Sequence, residues 1–94
     1  MPRLSITRIR NLVRSLNYVV SVHSAEELED DNLTILDLES IILTGRIVGR
    51  QKDRETREPK IVVRGRALDG REAEAIVKSS LTGILYFITV YHLS

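Results

Sequence analysis

The stretch "KIVVRGRALDGREAEAIVK", residues 60–78, decides the fold. Apolar and charged residues alternate on either side of Asp69-Gly70, and Asp-Gly between two such runs is the strongest short-range signal for a hairpin, because a type I′ turn needs positive φ at both central residues. With a two-residue loop, positions summing to 139 pair across it: Arg64 with Ala75, Arg66 with Ala73, Val63 with Ile76. One face then carries Ile61, Val63 and Ile76 toward a core. The other presents Arg64 and Arg66 over two alanines too short to cover them.

Downstream, "SSLTG" (79–83) turns the chain and "ILYFITVYH" (84–92) forms a last strand. That strand is apolar or aromatic on both sides, with Leu85, Phe87 and Tyr91 on one face and Tyr86, Ile88 and Val90 on the other. It reads as central and covered twice. Upstream, "RIVGRQ" (46–51) is a strand and "KDRETREP" (52–59) a charged loop.

Before Arg46 the period changes to that of a helix. Ile6, Ile9, Leu12, Val13 and Leu16 recur at three-and-four spacing, which predicts an amphipathic helix over Leu4–Leu16 with its arginines outward. "NYVVSV" (17–22) is β-branched and aromatic, a short strand. Ser24 with Glu27 matches a capping box and opens a helix at about 25–31, its carboxylates near the positive end of the helix dipole. Thr34 with Asp37 opens a second, Leu33 staples onto Leu38, and Gly45 ends it at C′. In that helix Ile35, Leu38, Ile41 and Ile42 face the core.

The expected architecture is α+β: two or three N-terminal helices packed on one face of an antiparallel meander of three to four strands. With 94 residues it forms one domain, 1–94, divided into the helix 1–16, the short strand and two helices of 17–45, and the sheet of 46–92. The helices suffice for one face of the sheet only. The exposed face of the last strand, Tyr86, Ile88 and Val90, therefore expects a cover, most simply a second copy or a small partner protein.

Composition narrows the chemistry. No cysteine is present, so there is no disulfide and no thiolate nucleophile, which fits a reducing compartment; with no apolar run near the roughly 20 residues that span a bilayer and no signal-peptide core, the expected location is the cytoplasm and no membrane partner is expected. The net charge of +1 conceals segregation: residues 23–45 hold seven acids and no Lys or Arg, and residues 46–71 hold nine Lys or Arg against four acids. Basic patches draw polyanions or acidic partners. His23 and His92 lie far apart and the glycines are scattered, so no metal site, nucleotide loop or cofactor is expected.

The histidine opening a short helix, the helix ending in "LTG", the run "RGRALDGREAEAIVK" and the closing "FITVY" together resemble a small bacterial and cyanobacterial domain-of-unknown-function family, numbered four-two-five-eight, over Tyr18 to Tyr91. That family is allied to the RelE, ParE and BrnT superfamily of toxin-antitoxin toxins. The resemblance implies a RelE/ParE toxin-like fold and two candidate functions. One is a metal-independent, RelE-like endoribonuclease toxin acting on RNA and silenced by an antitoxin: His23 as catalytic base or acid, Arg64, Arg66 and Lys78 on phosphate, and Tyr86, Tyr91 or His92 giving a proton or stacking a base. The other is a degenerate, non-catalytic interaction module that dimerises through Tyr86, Ile88 and Val90 of the last strand and sets its acidic helix against a basic partner, with Arg64, Arg66 and Lys78 as further partner contacts. In the family pattern H-A-x-x-R-x-x-x-R-G-I both arginines correspond to acids here, Glu27 and Asp31. That reversal of sign inclines the reading to the second function.

Overall fold

The computed structural model describes residues 4–80 and 82–93. Leu81 of the "SSLTG" turn and the expected domain limits at 1 and 94 lie outside them, as does the start of the expected helix region 1–16. Three helices, α1 (Ile6–Arg14), α2 (Val22–Asp30) and α3 (Ile35–Thr44), pack with five strands: β1 (Tyr18–Val20), β2 (Arg46–Lys52), β3 (Pro59–Arg66), β4 (Glu72–Ser79) and β5 (Leu85–His92). The α+β class stands as read. The sheet, however, is five-stranded and mixed, in the order β1-β5-β4-β3-β2, with β1 parallel to β5 and every other pair antiparallel.

Local chemistry sets the helix ends. Ser5 caps α1 by accepting from the Arg8 N–H, so the helix is shorter than the periodicity suggested, and Leu16 leaves it in the left-handed region, 72% exposed. Ile9, Leu12 and Val13 fill the core. Arg10 does not point outward: its guanidinium donates to the Gly45 carbonyl at 2.7 Å and ties α1 to the end of α3. At α3 the capping box of Thr34 and Asp37 forms as read. Asp37 also accepts from the Leu68 N–H at 2.9 Å, so one carboxylate holds both a helix start and the β3–β4 hairpin tip. Burial pushes that carboxyl up, but the N–H groups of Thr34 and Leu68 outweigh it and hold the pKa below the ordinary value.

Gly45 ends α3 in extended backbone, φ −89°, rather than in the left-handed C′ conformation expected. Room is what it supplies: a Cβ there would stand 2.6 Å from Val63 Cγ1 and 2.9 Å from the Arg64 carbonyl oxygen. Ile35 also departs from expectation, being 43% exposed while Leu38, Ile41 and Ile42 are fully buried.

The Asp69-Gly70 reversal is tight but one residue longer than a type I′ turn. Ala67 N–H bonds to the Arg71 carbonyl and Gly70 N–H to the Ala67 carbonyl, with Gly70 at φ +90°, which is a three-residue loop. The register therefore moves by one: Arg64 pairs with Glu74, Arg66 with Glu72, and Val63 with Ala75. Ile61, Val63, Ala73, Ala75 and Val77 face the helices and are buried, whereas Ile76 turns to the uncovered face. Arg64 and Arg66 do lie on that face, over carboxylates and not over alanines.

Candidate functional site

The uncovered face is built by alternation along β3 and β4 and by the register between them. Arg64 stands opposite Glu74 and bonds its Oε2 twice, from Nε at 2.8 Å and from a terminal nitrogen at 2.6 Å. The Tyr91 hydroxyl, from the next strand, donates to Oε1 of the same carboxylate. Glu74 is buried, and both of its oxygens have partners. The Tyr91 bond, with Arg64 adding to it against the cost of burial, holds the Glu74 pKa below its ordinary value, while the same bond pushes the Tyr91 phenol up.

Around this triad two lysines are paired as well. Lys78 bonds Glu58 at 2.8 Å, which raises its pKa, and Lys60 meets Asp53 at 3.2 Å. Arg66 lies opposite Glu72 and donates to the Gly70 carbonyl. Arg46, directly opposite Arg64 on β2, forms no ion pair among the described residues. Thr44, Arg46, Arg64, Gly65, Arg66 and Glu72 enclose a recess of about 90 Å³. Small-molecule sites typically run from about 300 Å³ upward, so this is a notch between side chains rather than a substrate pocket.

His23 is elsewhere. α2 starts three residues earlier than expected because Ser21, not Ser24, is its N-cap. His23 consequently lies inside the first turn with its side chain 67% exposed, 3.5 Å from Glu27 across one helical turn. α2 packs along β5, whereas Arg64 lies on β3, two strands away on the uncovered face. The structure does not bring His23 to the Arg64–Arg66 pair.

Ser24 is fully buried instead and donates to the Phe87 carbonyl at 3.0 Å. Beyond Val20, where β1 ends, α2 takes over the edge of β5: Glu27 Oε1 accepts from the Val90 N–H at 3.0 Å and Asp31 Oδ2 from the His92 N–H at 3.3 Å. Arg71 donates to the Asp31 and Asn32 carbonyls, covering the helix C-terminus. Of the clustered acids Glu26, Glu27, Glu29, Asp30 and Asp31, two are thus spent on strand backbone.

The β5 face needs one correction. A bulge shifts the register so that Phe87 pairs with Val77 but Thr89 with Ile76, leaving Ile88 as the extra residue. Phe87 and Val90 are both fully buried, with half-buried Ile88 and Thr89 between them. Val90 is therefore core and no part of a dimer face, and Tyr91 takes its place beside Tyr86 and Ile88. Simple alternation also missed Glu74, which becomes legible only with the shifted register, and an apolar groove on the outer side of α3 lined by Leu36, Leu43 and Leu68.

Among the described residues, no group of three or more His, Asp or Glu gathers closely enough to hold a metal ion, and no helix is long and apolar enough to cross a membrane. No curated protein and no solved structure matches the chain. A family model does match, over residues 20–92, from the last residue of β1 to the last of β5. The chain belongs to that family, a domain of unknown function, DUF4258.

Proposed function

We propose that the protein is a non-catalytic association module, a degenerate relative of toxin-antitoxin toxins, which pairs with a second copy of itself through the uncovered face of the sheet. The carrying observation is the Arg64–Glu74–Tyr91 triad. A guanidinium already bound twice to a buried carboxylate is neutralised and held in place, so it offers a phosphate far less than a free arginine would. The pairs Lys78–Glu58 and Lys60–Asp53 neutralise neighbouring strands in the same way, and a face with balanced charge does not repel its own copy. Half-buried Tyr86, Ile88 and Tyr91 supply the apolar centre such an interface needs.

The endoribonuclease reading draws on Arg46, Arg64 and Arg66 around one notch, with Glu74 and Tyr91 beside it. It needs Arg64 and Glu74 to release each other on binding RNA. Two measurements separate the readings. Light scattering on the full chain is expected to give a dimer that Ile88→Asp with Tyr86→Lys converts to monomer; a strictly monomeric wild type at high concentration overturns the association reading. Induced expression is expected to be harmless. Growth arrest relieved by alanine at Arg64 and Arg66 would establish the nuclease instead.

A further inference from the structure

Among the described residues, the edge of the sheet opposite α2 is β2, which pairs with β3 on one side only. Its outer side presents backbone N–H and C=O groups in alternation, a template for one more strand. Along this strand and the loop after it, Arg46, Arg50, Lys52, Arg54 and Arg57 form no ion pair among the described residues. Two nearby acids, Asp53 and Glu58, are committed to Lys60 and Lys78, which leaves Glu55 alone against five cations. Arg50 donates one N–H to the Leu4 carbonyl and keeps its charge.

We infer that β2 is a docking strand for an extended acidic segment of a partner protein, which adds to the sheet as a sixth strand. Charge selects the occupant. A second copy paired edge to edge would set Arg46, Arg50 and Lys52 against their own equivalents, and like charges across strands repel. An acidic strand meets opposite charge at the same positions. Val48, 39% exposed at the bulge between Ile47 and Gly49, adds an apolar contact.

Single-stranded nucleic acid is the other polyanion to weigh, and two features disfavour it. The outward N–H and C=O groups alternate as a peptide strand requires, whereas phosphates could use the N–H groups alone, and the chain's four aromatic residues, Tyr18, Tyr86, Phe87 and Tyr91, all lie on β1 and β5, so none is available beside β2 for stacking bases. This surface is distinct from the face proposed for pairing copies, and the inference stands whether or not that face is used.

The test titrates the full chain with an end-blocked ten-residue peptide of alternating Glu and Val. Controls carry Gln for Glu, or Pro for Val, and a single-stranded RNA oligonucleotide of equal charge is titrated alongside. The acidic peptide is expected to bind at least tenfold more tightly than all three, to perturb the amide resonances of residues 46–52, and to lose tenfold with the surface variant Lys52→Glu/Arg54→Glu. Equal binding of the Gln peptide overturns the proposal, as does equal binding of the Pro peptide, which would mean charge alone without strand pairing. Tighter RNA binding overturns it too, and so does the absence of binding at millimolar peptide, which would make the charges simple edge protection. The peptide and RNA controls leave the protein untouched, so a folding defect cannot mimic the results that overturn the proposal.

Discussion

A methyl group added at Gly65 would stand 2.8 Å from the Ile41 carbonyl carbon and 3.0 Å from Gly45 Cα, so helix α3 would have to lift off β3. Gly65→Ala is therefore expected to cost about 3 kcal/mol by overpacking, read from urea unfolding. At Gly70 nothing lies within 4 Å of the added atom, and only the positive φ resists it. Gly70→Ala should cost about 1 kcal/mol from the left-handed backbone alone. Identical substitutions five residues apart thus separate steric from conformational reasons for glycine. On the uncovered face, Tyr91→Phe removes the largest influence lowering the Glu74 pKa while leaving Arg64 in place. A carboxyl-detected NMR titration is expected to show Glu74 titrating higher than in wild type; an unmoved titration would mean that Arg64 alone sets it.

The element whose role was hardest to read is α2. Its acidic run suggested helix-dipole stabilisation. Glu27 and Asp31 instead accept from the N–H groups of Val90 and His92 where β5 would otherwise present a bare edge. Glu27→Ala should cost about 1–2 kcal/mol and speed amide exchange at Val90, while Glu27→Gln, which keeps a carbonyl acceptor, should restore most of the protection. The strands themselves were legible because their alternation is local: Ile61 and Val63 mark the inner face of β3 without outside information, whereas on β4 the one-residue register error put Ile76 inside in place of Ala73, Ala75 and Val77. The bulges at Val48 and Ile88 were not. Each inserts one residue whose only sequence trace is a break in alternation, and the break at Ile88 lies in a run where both faces are apolar. The register error at Asp69-Gly70 has the same origin, since Asp-Gly serves two-residue and three-residue loops alike. Ser21 and Ser24 are both plausible caps, and the difference lies in Ser24 being drawn into the core beside Phe87.

At the scale of the whole molecule, acid sensitivity follows from carboxylates held below their ordinary range, among them Asp53, Asp69 and the buried Asp37 and Glu74. Asp37 and Glu74 both have folded pKa values held below the ordinary carboxylate range. Their contribution to stability is therefore complete above the unfolded value, roughly pH 4, and is lost as pH falls through the folded values. The urea midpoint is expected to be level from about pH 8 to 5 and to drop below about pH 4, and the Asp37→Asn/Glu74→Gln double variant should flatten that drop. Global pairing was the least legible feature of the candidate site and the fold together, because a three-residue strand carries no mark of its distant partner. Tyr18, Val19 and Val20 find theirs in Leu85, Tyr86 and Phe87. Strand β1 thus has no neighbour until residues 85–87 are made, and during synthesis on the ribosome residues 4–45 emerge before there is any sheet to join. Completing the sheet waits on β5, and a chain cut short before residue 85 would leave β1 an open, sticky ribbon.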